Sequence, residues 1–375
     1  MFLQKTENNF QITMDFTPEL QTLITQVRDN CRIASAGQAG HFSLCGLVLR
    51  LRQLYKWEHH LPPWREPDPQ VALDWVEDQE RLWEGLEDRT WQTLALDGAA
   101  LDPFGVEALN ESLIPQGLAY GAGLSRGLAP TCFLGELQEV RRQGEVTILV
   151  LDRELARDLD GTPALCQGNL IYARKQALAF FAWDRLSDPM QQNNRYLKIA
   201  LDAYGLSLEA LLENPPNHQE ALADFLDREL EAVIRHEVGE ALEPSLKEAF
   251  PAILSLFPQT RVELWIRGLK DVLAEVNEWG RLAYIIENRA LPSLALMLAW
   301  RPGLYSLLLP ELEPAFHRVA ARGDWQALEE ARKQALARLR RTAAGLTDLL
   351  DGREAATAPI TLKEIEQQYL APLGL

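Results

Sequence analysis

The chain has 375 residues, 47% hydrophobic and 24% charged, enough for two domains with real cores, and this composition excludes disorder as the default state. Its net charge of -17 repels polyphosphate and anionic lipid, so nucleic acid and membrane surfaces are poor main partners. The four cysteines, Cys31, Cys45, Cys132 and Cys166, are far apart and form no CxxC pair, which argues against a zinc ribbon or disulfide scaffold and fits a reducing cytoplasm.

Met1 to Glu7 has neither a basic nor an apolar signal-peptide region, so no signal peptide is expected. The apolar spacing then predicts helices over Pro18–Ile33, His41–His60 and Pro69–Glu87, the last capped by Asp68 ahead of Pro69, giving a helical N-terminal unit over residues 1–90. His41 and Cys45 form an i, i+4 pair beside Leu44, Leu47 and Leu49, and the expectation for them is core packing. Three prolines make Leu61–Pro67 a stiff link.

Residues 91–175 read as a small sheet segment. Thr131–Leu137 and the β-branched Val146–Leu151 flank the polar run Arg141–Glu145, and Asn169–Arg174 is a third strand candidate. Gly121–Gly127 lacks the ending of a phosphate loop, so a flexible turn is expected there. Residues 176–350 return to helices, at Gln219–Leu242, Arg261–Glu287 and Trp325–Leu349. Leu291–Pro310, broken by Pro292, Arg301, Pro302 and Gly303, reads as two buried segments and not as a membrane span. The basic cluster Arg332, Lys333, Arg338, Arg340 and Arg341 is spaced as the solvated side of a helix. Residues 351–375 form a linker and a short helix at Leu362–Leu370. The fold class is mainly α with a small antiparallel β-sheet, α+β.

One segment carries chemistry. In Arg235-His236-Glu237-Val238-Gly239-Glu240, His236 and Glu240 lie on adjacent turns of one helix face, with Cβ atoms about 6 Å apart. Leu222, Leu226, Leu230 and Val233 define the apolar arc of that helix, and Glu237 and Glu240 continue it with His236 at its edge. Carboxylates placed where a core belongs must bind a cation, find hydrogen bonds or take a proton, because leaving them buried and unpaired costs several kcal/mol. The alternatives are a helix end that outruns its packing partner near Pro244, and a buried network without metal.

The segment resembles part of a zincin helix, HExxH, whose two histidines bind metal and whose glutamate is the base. Only His236-Glu237 matches, since Glu240 stands where the second histidine would be, and that departure weakens the protease reading. In gluzincin-type hydrolases a later glutamate is the third ligand, and Asn277-Glu278 resembles that element. The apolar face of Arg261–Glu287 instead includes Glu287 and turns Glu278 away, which ranks Glu287 first unless Gly280 resets the phase. Arg52–Glu58, Asp102-Pro103-Phe104, Asn169–Tyr172, His236–Glu240 and Asn277-Glu278-Trp279-Gly280 together are similar to an uncharacterised bacterial family of unknown function. That resemblance spans nearly the whole chain and implies no activity.

Two functions follow. The first is a metal-dependent hydrolase acting on a small molecule or peptide, with His236, Glu240 and Glu287 or Glu278 holding zinc, iron or manganese and Glu237 taking a proton from the attacking water. The second is a non-enzymatic cytoplasmic structural or protein-interaction protein, motivated by the lack of any complete catalytic motif.

Overall fold

The computed structural model describes residues 16–86, 88–124, 129–247, 249–301, 303–351 and 358–375. The signal-peptide expectation at Met1–Glu7 and most of the expected linker, residues 352–357, fall outside them. The chain forms two compact units, each from non-contiguous segments: Met1–Tyr55, Asp68–Glu136 and Glu154–Asp160 in the first, and Lys56–Pro67, Leu137–Arg153 and Gly161–Leu375 in the second.

In the first unit α1 (Pro18–Ala39) starts where Thr17 accepts the Leu20 amide and Pro18 needs no partner. Its Leu20, Leu23, Ile24, Val27 and Cys31 recur at helical spacing and are buried. Next come α2 (Leu44–Glu58), α3 (Pro69–Glu84), and a hairpin of β1 (Leu94–Leu96) and β2 (Ala99–Leu101) that the sequence reading missed. Its signal was Asp97-Gly98, both at positive φ as a two-residue hairpin turn requires. After α4 (Val106–Leu113), Leu109 and Leu113 join Leu94, Leu96, Val27, Leu118, Tyr120 and Leu134 in one core.

Two expectations fail in this unit. The helix begins at Leu44 and not at His41, so His41 and Cys45 form no helical pair, and Cys45 is exposed, as are Leu44 and Val48. Gly121 and Gly123 lie within β3 (Leu118–Leu124), paired with Phe133 and Thr131 of β4 (Pro130–Gln143), and not in a turn. A Cβ at Gly121 would overlap the Phe133 ring, so glycine there makes room for the ring on the neighbouring strand. Residues 125–127 of that stretch lie outside the described residues. Cys31 and Cys132, 101 positions apart, meet in the core with Sγ atoms 3.1 Å apart.

β4 turns through Gly144, at φ 60°, into β5 (Val146–Arg157); then follow β6 (Ala164–Gln167) and β7 (Leu170–Arg174). The strand order is β3-β4-β5-β7-β6. This sheet is mixed and not the antiparallel one expected, because β5 and β7 pair in parallel, Thr147 opposite Leu170 through Leu151 opposite Arg174. Residues 158–169, with β6 inside them, supply the return path of about a dozen residues that a parallel pair demands.

The second unit continues with α5 (Lys175–Ser187), α6 (Arg195–Ala203), α7 (Leu208–Glu213), α8 (Gln219–Leu242), α9 (Ala249–Leu256), α10 (Arg261–Val276), α11 (Arg281–Glu287), α12 (Leu291–Ala299), α13 (Gly303–Leu308), α14 (Leu312–Arg322), α15 (Trp325–Leu350) and α16 (Ala358–Ile365). Leu230, Ile234 and Val238 of α8 cover the sheet face formed by Ile148, Val150, Ile171 and Ala173. Burying each such side chain stabilises by about 1.5–3 kcal/mol. In the proline link, Lys56 Nζ donates to Pro63 O at 2.6 Å and pairs with Glu66, while Trp64 stacks edge-on against Trp183. The basic cluster of α15 is solvated only in part, with Lys333 and Arg341 exposed and the other three held. Arg332 is buried and donates to Val276 O, Arg338 grips Glu311, and Arg340 bridges Glu243 and Glu278. Long guanidiniums thus serve as clamps between helices. No helix among the described residues is long and apolar enough to cross a membrane.

Candidate metal centre

The helix expected over Arg261–Glu287 is two helices. Asn277 leaves the helical region at ψ 176°, its Oδ1 accepts the Trp279 amide at 3.1 Å, and its Nδ2 donates to Gly239 O of α8 at 2.7 Å. Glycine is required on both sides of this knot, because a Cβ on Gly239 or on Gly280 would overlap the Ala274 carbonyl oxygen. Gly239 therefore lets α8 and α10 touch backbone to backbone, and Asn277 ties them there.

The contact fixes which side chains meet. His236 Nδ1 lies 3.1 Å from Glu275 Oε1, and Glu240 pairs with Lys270, so the two helices run antiparallel. Each then presents an i, i+4 pair to the other, His236 and Glu240 from α8, Asp271 and Glu275 from α10. His236, Glu240 and Asp271 offer ligand atoms that all lie within 4.8 Å of one another, the one such group of three among the described residues. Ligands around a single ion with bonds near 2 Å stand roughly 3–4 Å apart, so small side-chain rotations would close this set.

Glu275 is the fourth member and plays a different part. It is almost fully buried, with Oε2 3.3 Å from Arg281 Nε. Neither His236 Nδ1 nor Glu275 Oε2 finds an aligned hydrogen bond, so both contacts act as ion pairs. Holding Nδ1 leaves Nε2 as the nitrogen for a ligand, the arrangement in which a carboxylate orients a metal-binding histidine.

The electrostatics of the metal-free cluster are strained in one direction. Burial alone would lower the His236 pKa, yet Glu275, with help from Glu237, holds the imidazolium up to about 9. Burial raises Glu237, and Glu240 adds to it; burial likewise raises Asp271, with Glu240 and Glu275 adding. Burial also opposes the charge on Glu275, but Arg281 and His236 outweigh it and keep this carboxyl below its usual range. Burial first, and neighbouring carboxylates second, thus hold Glu237 and Asp271 towards neutrality, while Glu275 holds the histidine towards its cation. Cys166 of β6 feels the same field: burial, then Glu237 and Glu240, push its thiol up to about 12. A thiol held neutral is a poor nucleophile. Iodoacetamide at pH 8 is accordingly expected to label exposed Cys45 quickly and to leave Cys166 unlabelled in the folded protein, as intact mass and peptide mapping will read; early labelling of Cys166 would contradict this field.

The structure keeps His236, Glu237 and Glu240 together and leaves the other two candidates apart. Glu278 is half exposed and pairs with Arg340 at 2.9 Å. Glu287 ends α11 in solvent. The break at Asn277–Gly280 separates the phases of α10 and α11, so a wheel drawn through both misplaced Glu287. Asp271 takes the third position. Its signal was the Asp271/Glu275 pair, which repeats the spacing of His236/Glu240 on the next long helix.

Beside the centre lies a cleft of about 370 Å³, lined at one end by Glu240 and Lys270 and elsewhere by Pro244, Leu246, Phe250 and Leu273. No curated protein and no solved structure matches the chain. Family models described as the N-terminal and C-terminal domains of a family of unknown function, DUF6866, match residues 22–174 and 179–368. The chain belongs to this family of unknown function, DUF6866.

Proposed function

We propose that the protein is a metal-dependent hydrolase whose divalent ion is held by His236, Glu240 and Asp271. The observation that carries this reading is the convergence of one imidazole and two carboxylates from two helices, with Glu275 fixing the imidazole from behind. One nitrogen and two oxygen donors suit zinc, manganese or iron(II). Such an ion supplies a Lewis acid. Glu237, one residue from His236 and raised by burial, is placed to accept the proton of an attacking water and return it to the leaving group. The adjoining cleft supplies an apolar wall for a small or peptide-like substrate.

A second reading has its own observation. Glu240 already pairs with Lys270, so the polar network satisfies part of its charge without an ion, as a structural or protein-interaction protein would need.

Metal analysis of protein purified without a histidine tag separates the two. The first reading expects about one zinc, manganese or iron per chain, lost in Asp271→Asn and His236→Ala. Glu237→Gln should keep the metal and lower any hydrolysis by about 10²- to 10⁴-fold. A metal-free parent that takes up none of the three ions on titration, and whose melting temperature ignores them, decides for the second reading.

A further inference from the structure

The ion pair between Lys270 and Glu240 works against a metal at this centre. Lys270 Nζ engages a carboxylate that the ion would need, and it stands as a fixed positive charge at the ion's edge. The same ammonium lies 5.0 Å from the centroid of the Phe250 ring, on the wall of the cleft. The side chain therefore faces two ways, to Glu240 on one side and to an aromatic cleft wall on the other.

We propose that Lys270 is the resident counter-ion of the metal-free centre, and that a divalent ion displaces it from Glu240 and turns it to the acid group of a carboxylate ligand in the cleft. This rests on the metal reading above. Charge decides the class of ligand. Among the groups lining the cleft, Glu243 pairs at 3.0 Å with Arg340, which it shares with Glu278, Glu240 is committed once an ion binds, and Lys247 and Lys270 are the cations. Leu246, Phe250, Leu273 and Pro244 give the body of the ligand an apolar seat. At about 370 Å³ the cleft is at the small end of ligand sites. A short aliphatic or aromatic carboxylate satisfies all three conditions, with its head at Lys270 and its body along Phe250. The ammonium keeps its attraction to the Phe250 ring while it changes anionic partners, which shortens the move.

The order of events makes the site sequential. Before the ion arrives, Glu240 and Lys270 cancel each other, and Lys247 alone draws a carboxylate ligand to the cleft. After it arrives, the same cleft is cationic.

The test uses calorimetric titration of the full chain, purified without a tag, with Zn²⁺ or Mn²⁺ and with hexanoate as the probe anion. Lys270→Gln is expected to bind the metal at least about tenfold more tightly than the parent, since it frees Glu240 and removes a like charge. Lys270→Arg, which keeps the charge, should remain near the parent. Hexanoate should bind the metal-loaded parent, bind the metal-free parent at least about tenfold more weakly, and fail to bind metal-loaded Lys270→Gln. Unchanged or weaker metal binding by Lys270→Gln overturns the proposal, as does hexanoate binding that ignores the metal. Hexanoate retained by metal-loaded Lys270→Gln also overturns it, because the ion itself would then hold the carboxylate. Metal uptake by the parent with no change in Lys270→Gln removes this proposal alone and leaves the metal reading standing. Absence of uptake by the parent and by Lys270→Gln removes the metal reading with it.

Discussion

Gly280→Ala is expected to destabilise the second unit by about 3 kcal/mol and to lower its melting temperature by roughly 10 °C. The backbone at Gly280 has φ -77° and ψ 178°, which alanine adopts without strain, so the effect comes from space alone. The new methyl would overlap the Ala274 carbonyl oxygen, and a main-chain atom inside a packed helix cannot swing aside as a side-chain tip can. Gly239→Ala meets the same oxygen from the other side and should behave alike. Gly303→Ala, with nothing within 4 Å, is the control and should shift the melting temperature by about 2 °C or less. Because both glycines set the separation of α8 and α10, either alanine should also lower metal uptake by spreading His236 and Glu240 from Asp271. Thermal unfolding with metal analysis reads both effects. A Gly280→Ala protein that melts with the parent would show that the two helices do not meet through these residues.

Replacing Glu275 by glutamine should cost a similar amount, but with a pH signature. Glu275 neutralises both His236 and Arg281 in the interior, and removing one partner of a buried pair typically costs about 3–5 kcal/mol. Part of that cost belongs to His236. Its pKa of about 9 in the metal-free fold exceeds its usual 6.5, so the stabilisation it brings is full below pH 6.5 and is lost as the pH rises through 9. A rise of that size corresponds to about 3 kcal/mol at most, shared among Glu275 and its neighbours. Glu275→Gln should therefore be most damaging near pH 6 and less so near pH 9.5. Denaturant melts in the presence of a chelator at the two pH values measure the difference. A penalty equal at both would mean that the His236–Glu275 pair contributes nothing to the fold.

What could be read beforehand follows from what local pattern encodes. The bounds of α8 were legible at both ends because Pro215-Pro216 and Pro244 punctuate a long amphipathic run, and its polar residues His236, Glu237 and Glu240 were conspicuous inside an apolar arc. Asp271 was not, since a lone aspartate between Lys270 and Val272 has no meaning until a partner helix is known. Antiparallel contact is a tertiary fact, yet the i, i+4 spacing of His236/Glu240, repeated by Asp271/Glu275 on the next long helix, hinted at it. Strand existence was legible for β4, β5 and β7 from β-branched and apolar runs. Strand direction was not, because the parallel pairing of β5 with β7 depends on how the chain returns. The short hairpin at Asp97-Gly98 was within reach, and only the brevity of its strands hid it.

The cover that α8 lays over the sheet carries a consequence for the order in which the protein is made. Ile148, Val150, Ile171 and Ala173 leave the ribosome well before Leu230, Ile234 and Val238, the residues that shield them. At about 5–20 residues per second, synthesis of the intervening chain takes several seconds. Throughout that interval the nascent protein carries a greasy β surface that only Leu178 and Phe181 of α5 can cover. Chaperone occupancy should therefore rise once β7 emerges and fall once α8 is out. A ribosome stalled after β7 would hold a chain far more prone to clump than one stalled after Leu242.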